Sequence, residues 1–407
     1  MKCRHCGSEL GLPFIDLGMM PPSNAYLTRE QLDKPEMRYP LRVLVCERCW
    51  LVQTEDYVGA GDLFTEDYAY FSSVSQGWLE HAQDYVASMC DRLHLGPKSL
   101  VAEIAANDGY LLQYVQQRGI PCYGIEPTKS TAAAAREKGI RIVEAFFGMK
   151  LASDFAEKGQ RADLIVANNV LAHVPDINDF TAGVAMLLKP DGIATFEFPY
   201  LLNLVRENQF DTIYHEHYSY LSLTAVDRIF RANGLAVIDV VHLPTHGGSI
   251  RVFAQRSESA TTPKAAVKTM LAEECRVGVN GSEYYSGFQP RAEAAKKEFH
   301  AFLREQKTAG RKVGAYGAAA KGNTLLNFAG IDNTLLPYVA DRNTAKQGKY
   351  LPGSRIPVVS ESHLIADRPD WVLVLPWNLR VEIERQLAKV REWGGKFVYA
   401  VPGLEFS

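Results

Sequence analysis

Between Ser99 and Gln255 short apolar runs alternate with helix-like stretches, and this alternation restricts the fold more than any other feature of the 407 residues. Ser99 to Ala105, Cys122 to Ile125, Ile140 to Glu144, Ala162 to Ala167 and Ile193 to Phe198 have the length of buried strands. Tyr110 to Gln117, Ala132 to Lys138, Asp176 to Leu188 and Ser222 to Ala232 read as helices. Three of these are stopped by Gly139, by Lys189-Pro190-Asp191-Gly192 and by Gly234. Successive β–α units require a parallel sheet with helices on both faces. Ala236 to Leu243 and Ser249 to Gln255 close the unit, separated only by Thr245-His246-Gly247-Gly248. So short a turn makes that last pair antiparallel.

The flanks read differently. Met1 to about Tyr70 carries two Cys-x-x-Cys pairs, Cys3/Cys6 and Cys46/Cys49, each able to place two sulfurs on one tight turn. Together they predict a four-thiolate zinc site in a ribbon-like module. Four thiolates leave no open coordination position, so the zinc is structural, and His5 lies outside its knuckle. Ser257 to Arg311 reads as a linker and a polar helix. From Lys312 a second, smaller α/β sheet begins, with strands ending at Tyr316, Ala340, Leu375 and Val401 and a helix from Arg380 to Trp393. The expected domains are 1–70, 71–256 and 257–407.

Composition narrows the function. A formal net charge of −3 provides no global basic field to hold nucleic acid or an anionic membrane. No apolar run approaches the ~20 residues needed to span a bilayer, and the N-terminus lacks a signal-peptide core. Seven cysteines in such a chain do not make a disulfide scaffold, so a cytoplasmic location is expected, and a monomer is compatible with the sequence.

In doubly wound sheets the ligand sits outside the carboxyl ends of the strands. The first βα turn here, Glu103-Ile104-Ala105-Ala106-Asn107-Asp108-Gly109, lacks the G-x-G-x-x-G that lets backbone approach a pyrophosphate. Glu103, Asn107, Asp108 and Gly109 instead suit a cofactor without phosphate. Glu126, at the second strand's end, is placed to accept from two ribose hydroxyls, and Asn168 and Asn169 would flank the rest of the cofactor. The loop after the fifth strand carries Tyr214-His215-Glu216-His217. An imidazole there could remove a proton next to a carbonyl, its ordinary pKa being ~6.5, with a neighbouring carboxylate fixing its tautomer. A metal held by His215 and His217 is the competing reading. His246 is a candidate substrate contact. Gly314 to Gly317, running into a helix with Lys321, suggests a diphosphate site. Asp341 and Trp377-Asn378 lie on the same edge.

Taken together, the layout resembles the class I S-adenosylmethionine methyltransferases. More specifically, it resembles the sugar 3-C-methyltransferases of deoxysugar pathways. The resemblance rests on both Cys-x-x-Cys pairs, Leu17-Gly18, Pro21-Pro22-Ser23, Glu103-Ile104 with Asn107-Asp108-Gly109, Tyr214 to His217, Leu243 to Gly248 and Tyr316 to Gly322. It implies S-adenosylmethionine in the middle domain, structural zinc, and a nucleotide-diphosphate-linked 4-keto-6-deoxy sugar held partly by the C-terminal domain. It further implies His217 as base, with Glu216 and Tyr214 shaping the site and Tyr70 and His173 as sugar contacts or proton carriers. Tyr316, Gly317, Lys321, Asn323, Asp341 and His246 would hold the substrate. The departure is Ala105, where the family often has Gly. An O- or N-methyltransferase on the same fold is the alternative.

Overall fold

The computed structural model describes residues 1–57 and 71–407; Tyr70 lies outside the described residues. The N-terminal segment forms three antiparallel strands, β1 (Leu12–Met20), β2 (Tyr39–Val45) and β3 (Val52–Thr54). The middle segment supplies β4 (Val101–Ile104), β5 (Cys122–Ile125), β6 (Ile142–Val143), β7 (Ala162–Asn168) and β8 (Leu188–Pro199). After β9 (Ser219–Tyr220) come β10 (Leu235–Leu243) and β11 (Ser249–Arg256). The large sheet runs β6-β5-β4-β7-β8-β11-β10. Only β11 runs against the others, wedged antiparallel between β8 and β10. That order is the class I methyltransferase layout. Because the chain winds from β4 out to β6 and then crosses to β7, a crevice opens at the carboxyl ends of β4 and β7.

Helix starts follow local chemistry. Asp176 caps Ile177–Leu187 through the amide of Asp179, and Ser222 caps Leu223–Ala232 through that of Ala225. Several elements lie outside the sequence reading: the helices Gln76–Leu93, Met149–Glu157, Leu201–Arg206 and Glu361–Asp367, and the expected Arg380–Trp393 helix breaks after Gln386. The stretch expected as a linker contains the helix Ala265–Val277, followed by Phe288–Thr308. Glu274 of the first is buried and accepts the amides of Leu223 and Thr224 at 2.6 and 2.7 Å, so the "linker" caps a helix of the central sheet.

The C-terminal sheet has β12 (Val313–Tyr316), β13 (Val339–Ala340), β14 (Val358–Val359), β15 (Trp371–Val374), β16 (Lys396–Tyr399) and β17 (Glu405–Phe406), in the order β14-β13-β12-β15-β16-β17, with only the last antiparallel. The three segments interlock. β9 pairs with β3, so Ser219 and Tyr220 complete the N-terminal sheet. Phe14 stacks on Phe288 at 4.4 Å, and Phe210 meets Phe328 edge-on at 5.5 Å, within one apolar cluster drawn from all three segments. Each such side chain contributes about 1.5–3 kcal/mol by burial, so prising the segments apart would expose a continuous core.

Candidate active site

The three segments close on one cleft of about 650 Å³, bounded by the carboxyl ends of β4, β5 and β7 and by the first turn of the helix Ala320–Phe328. On the β4 side, Ala105 (φ 58°) and Asn107 (φ 48°) both take left-handed backbone. Asn takes this region readily, whereas for alanine it costs about 1–2 kcal/mol, so Ala105 does adopt the conformation glycine would favour. The turn is held by its neighbours: Asn107 N donates to Glu126 Oε2 at 2.9 Å, and Asn107 Oδ1 accepts from Ser72 N. Glu126 Oε1 accepts the Thr128 amide at 2.9 Å, which fixes the carboxylate at the cleft wall.

Asn168 and Asn169 line the same wall. Both amide atoms of Asn168 and Oδ1 of Asn169 are buried without a protein partner. A buried polar atom left unpaired costs about 1–3 kcal/mol, so these groups point to a ligand. A carboxylate for ribose hydroxyls, free amides and no anion cradle fit S-adenosylmethionine. Glu126→Ala should weaken its binding about 10- to 100-fold, measured by calorimetry, since a hydrogen bond to a charged group contributes about 1.5–3 kcal/mol.

Three other residues expected at the cofactor are not among those that line the cleft. Glu103 is wholly buried within β4; burial, with Asp108 and Glu126 nearby, holds its carboxyl well above the usual range. Asp108 faces Ser73 N and Lys138 Nζ (3.6 Å). Gly109 (φ 75°) serves close packing, since a Cβ there would lie 2.4 Å from Ile140 Cδ1.

Across the cleft stand the histidines. His217 Nδ1 lies 2.9 Å from the Thr212 carbonyl, and its ring lies 4.0 Å from that of Tyr214 and 4.6 Å from that of His173. His173 Nδ1 lies 2.7 Å from the Glu216 carbonyl. A carbonyl only accepts, so both rings carry their proton on Nδ1 and present Nε2 as a lone pair. Burial pushes His217 well below an ordinary imidazole and His173 down to about 4. Both are therefore neutral near pH 7. His246 (φ 55°) also lines the cleft, its Nδ1 buried and unpartnered, its ring 4.9 Å edge-on from that of Trp78. Lys321 reaches in from the C-terminal segment, with Nζ 2.5 Å from Asn378 Oδ1 and 4.7 Å above the Trp377 ring.

The other expected substrate residues are placed elsewhere. A backbone carbonyl rather than a carboxylate fixes the His217 tautomer, and the Glu216 side chain accepts from Asn24 Nδ2 outside the cleft lining. His215 packs toward the Pro40 carbonyl and is not among the residues that line the cleft with His217. Tyr316 bonds to Glu361 and Gln386, and Asn323 Nδ2 donates to the Ser23 carbonyl at 2.6 Å. At Gly317 (φ 89°) a Cβ would strike Pro376 at 2.4 Å. The amide of Ala318 is already taken by Asp341 Oδ2 at 2.7 Å. An internal carboxylate thus occupies the loop expected to hold a diphosphate. Asn24 and Trp78 line the cleft without having been singled out, and of the two only Asn24 carried a signal, standing beside Pro21-Pro22-Ser23; Lys346, on the edge expected to meet base or ribose, also lines it.

The sulfurs of Cys3, Cys6, Cys46 and Cys49 lie within 4.8 Å of one another, the one metal-competent cluster among the described residues. With Zn–S bonds of about 2.3 Å a tetrahedral site needs S–S separations of about 3.8 Å, so the four fit zinc in a closed, structural shell. His5 Nδ1 instead meets Asn178 Oδ1 at 2.8 Å. Among the described residues no helix is long and apolar enough to cross a membrane.

Comparisons agree with this layout. Residues 3–64 match a zinc binding domain, 78–240 a methyltransferase domain and 244–402 a C-methyltransferase C-terminal domain. The chain is 35% identical over 401 residues to the C-methyltransferase NovU of Streptomyces niveus, covering 98% of this chain and 95% of that one. Among solved structures it is distantly similar to magnesium protoporphyrin IX methyltransferase of Synechocystis PCC 6803 with bound SAM (18% identity, 44% of this chain and 81% of that one, TM-score 0.33). It is also distantly similar to the PH0226 protein of Pyrococcus horikoshii OT3 (12% identity, 46% and 95%, TM-score 0.38). The chain belongs to the C-methyltransferase family, uniting a zinc-binding segment, a methyltransferase domain and the family's C-terminal domain around a single cleft.

Proposed function

We propose that the protein transfers a methyl group from S-adenosylmethionine to C3 of a nucleotide-diphosphate-linked 4-keto-6-deoxy sugar, through an enolate raised by His217. The observation that carries the reading is a neutral, buried imidazole whose Nδ1 is committed to a carbonyl, in the same cleft as Glu126, Asn168 and Asn169. Carbon is a poor nucleophile until a proton leaves it. His217 Nε2 takes the proton from the carbon beside the ketone; the C–H electron pair moves into the C3–C4 bond, and the C4 oxygen takes up the negative charge. The cofactor, when bound, supplies an electrophilic methyl on sulfonium sulfur.

His173 and His217 both present lone pairs, so neither neutral ring donates to the developing oxyanion. Lys321, a cation at the cleft wall, and the Tyr214 hydroxyl are the groups suited to it. The carbons on either side of the carbonyl, C3 and C5, are equally acidic by class, and the product distinguishes them. Turnover of a panel of thymidine- and guanosine-diphosphate 4-keto-6-deoxy sugars, with carbon NMR of the product, should show a new methyl on C3. A methyl on C5 would move the site of attack while keeping the base; a methyl on oxygen or nitrogen would contradict the reading.

A further inference from the structure

Arg4 stands inside the first cysteine knuckle, between Cys3 and Cys6, and its side chain is 5% exposed. Its backbone amide donates to Gln53 Oε1 at 2.9 Å, and Gln53 Nε2 reaches Cys3 Sγ at 3.3 Å. Its guanidinium leaves the knuckle and binds three groups: Nη1 to the Pro175 carbonyl at 3.1 Å, and Nη2 to the Thr54 carbonyl at 2.9 Å and to Asp56 Oδ1 at 2.8 Å. The same guanidinium lies 5.2 Å from the centroid of the Tyr218 ring. Pro175 lies two residues beyond His173, and Tyr218 follows His217. Thr54 in turn holds the histidine loop by two bonds, Oγ1 to the His217 carbonyl at 3.2 Å and its amide to the Tyr218 carbonyl at 3.1 Å. The two histidine loops also meet directly, Tyr218 N donating to Ala172 O at 2.8 Å.

We propose that Arg4 is a positioning residue for the reaction: carried by the cysteine knuckle, its planar fork clamps the loops of His173 and His217 and fixes the placement of the imidazoles in the cleft. The proposal rests on the reading of His217 as base, and it makes the zinc-binding segment part of the catalytic geometry. Arginine suits the task because its fork satisfies several fixed acceptors at once, whereas the ammonium of lysine is a single point charge. A misplacement of about 1 Å at a reacting group can cost about 100-fold in rate.

The test uses Arg4→Met, which keeps the apolar stem, together with Arg4→Lys and Thr54→Val, in the zinc-loaded full chain. Metal content by atomic emission should stay at the wild-type ratio, and S-adenosylmethionine affinity should hold. The kcat of Arg4→Met should fall about 10- to 100-fold, with Arg4→Lys and Thr54→Val intermediate. Two readouts separate positioning from plain stability. Hydrogen exchange of a peptide spanning 212–220 should speed up at least several-fold while the large sheet stays protected. The acid limb of the kcat profile should move up toward that of an exposed imidazole as water reaches His217. The groups facing that ring are His173, Tyr214, Tyr220, Lys321 and His246, and none of them is altered. Zinc-replete Arg4→Met with unchanged kcat overturns the proposal, and so does a lower kcat with neither local exchange nor the acid limb altered. Should Arg4→Met fail to fold, Thr54→Val decides by the same two readouts. His217→Gln, run in parallel, keeps the failures apart: turnover retained there removes the base reading, whereas the exchange result still judges the clamp.

Discussion

Replacing His217 by alanine should lower kcat by about 10²- to 10⁴-fold while S-adenosylmethionine binds as before, which is what removing a positioned general base would cost. The effect should be confined because His217 lines the cleft as a residue separate from Glu126, Asn168 and Asn169, to which the methyl donor is assigned. Its pH dependence has a sign. Burial first, then the nearby His173, pushes the folded-state pKa of His217 below the ordinary value. The lone pair therefore stays available as pH falls through about 6.5, where a free imidazole would be half protonated. Activity should be lost only on the acid side, below that point. The same direction holds for stability: His217 and His173 (lowered to about 4) contribute stability that is complete above the unfolded value of about 6.5 and lost as pH falls toward the folded value. Kinetics of the purified variant against pH, with parallel calorimetric binding of the methyl donor, check this. An Ala variant within tenfold of wild type would remove His217 from the base role.

The second large effect falls on stability. Glu197 on β8 stands directly opposite Arg251 on β11, and its carboxylate is wholly buried. It accepts from Arg251 Nη2 at 2.6 Å, His81 Nε2 at 2.9 Å and Thr245 Oγ1 at 2.8 Å. Against the upward push of burial, His81 and Arg251 hold its pKa down at about 2. Arg251→Met strands that charge and should cost about 3–5 kcal/mol, read from urea unfolding at pH 7. A folded pKa below the unfolded one contributes stability above about pH 4.5 that is lost as pH falls toward 2, so the deficit of the variant should shrink in acid. Adding Glu197→Gln should recover part of the loss, because the remaining neutral group no longer demands a cation. A deficit under about 1 kcal/mol would show the pair to be uncoupled. Thr245 also carries the turn that presents His246, so the variant should raise KM as well.

What could be read from the sequence follows from how local each signal is. The strands β4, β5 and β7 are short, mostly apolar and set off by turns, and the cysteine pairs carry their geometry in their spacing. The place of Glu126 at the cleft wall was legible because the end of a second strand is a defined place in this fold. By contrast, β9 is two residues long, and nothing in Ser219-Tyr220 announces pairing with β3. Glu197 and Arg251 read as ordinary strand residues until register sets them opposite each other, and Trp78 sits on a helix whose apolar face gave no separate cue. At the loop Gly314 to Gly317 small residues before a helix suit an anion, and what the sequence could not show is that the Ala318 amide beyond it is taken by Asp341 of the chain itself, 23 residues away. Glu216 differs from its neighbour His217 in lying outside the cleft lining, where its carboxylate accepts from Asn24, which does line the cleft.

Proton abstraction by His217 can be watched apart from methylation. With S-adenosylhomocysteine in place of the donor and a thymidine-diphosphate 4-keto-6-deoxy sugar in heavy water, proton NMR should show the wild-type protein exchanging one hydrogen beside the carbonyl, at C3, with the His217→Gln protein no faster than buffer. Equal exchange by the two proteins, or none by the wild type under conditions in which it methylates, would contradict a carbon acid ionised by this imidazole.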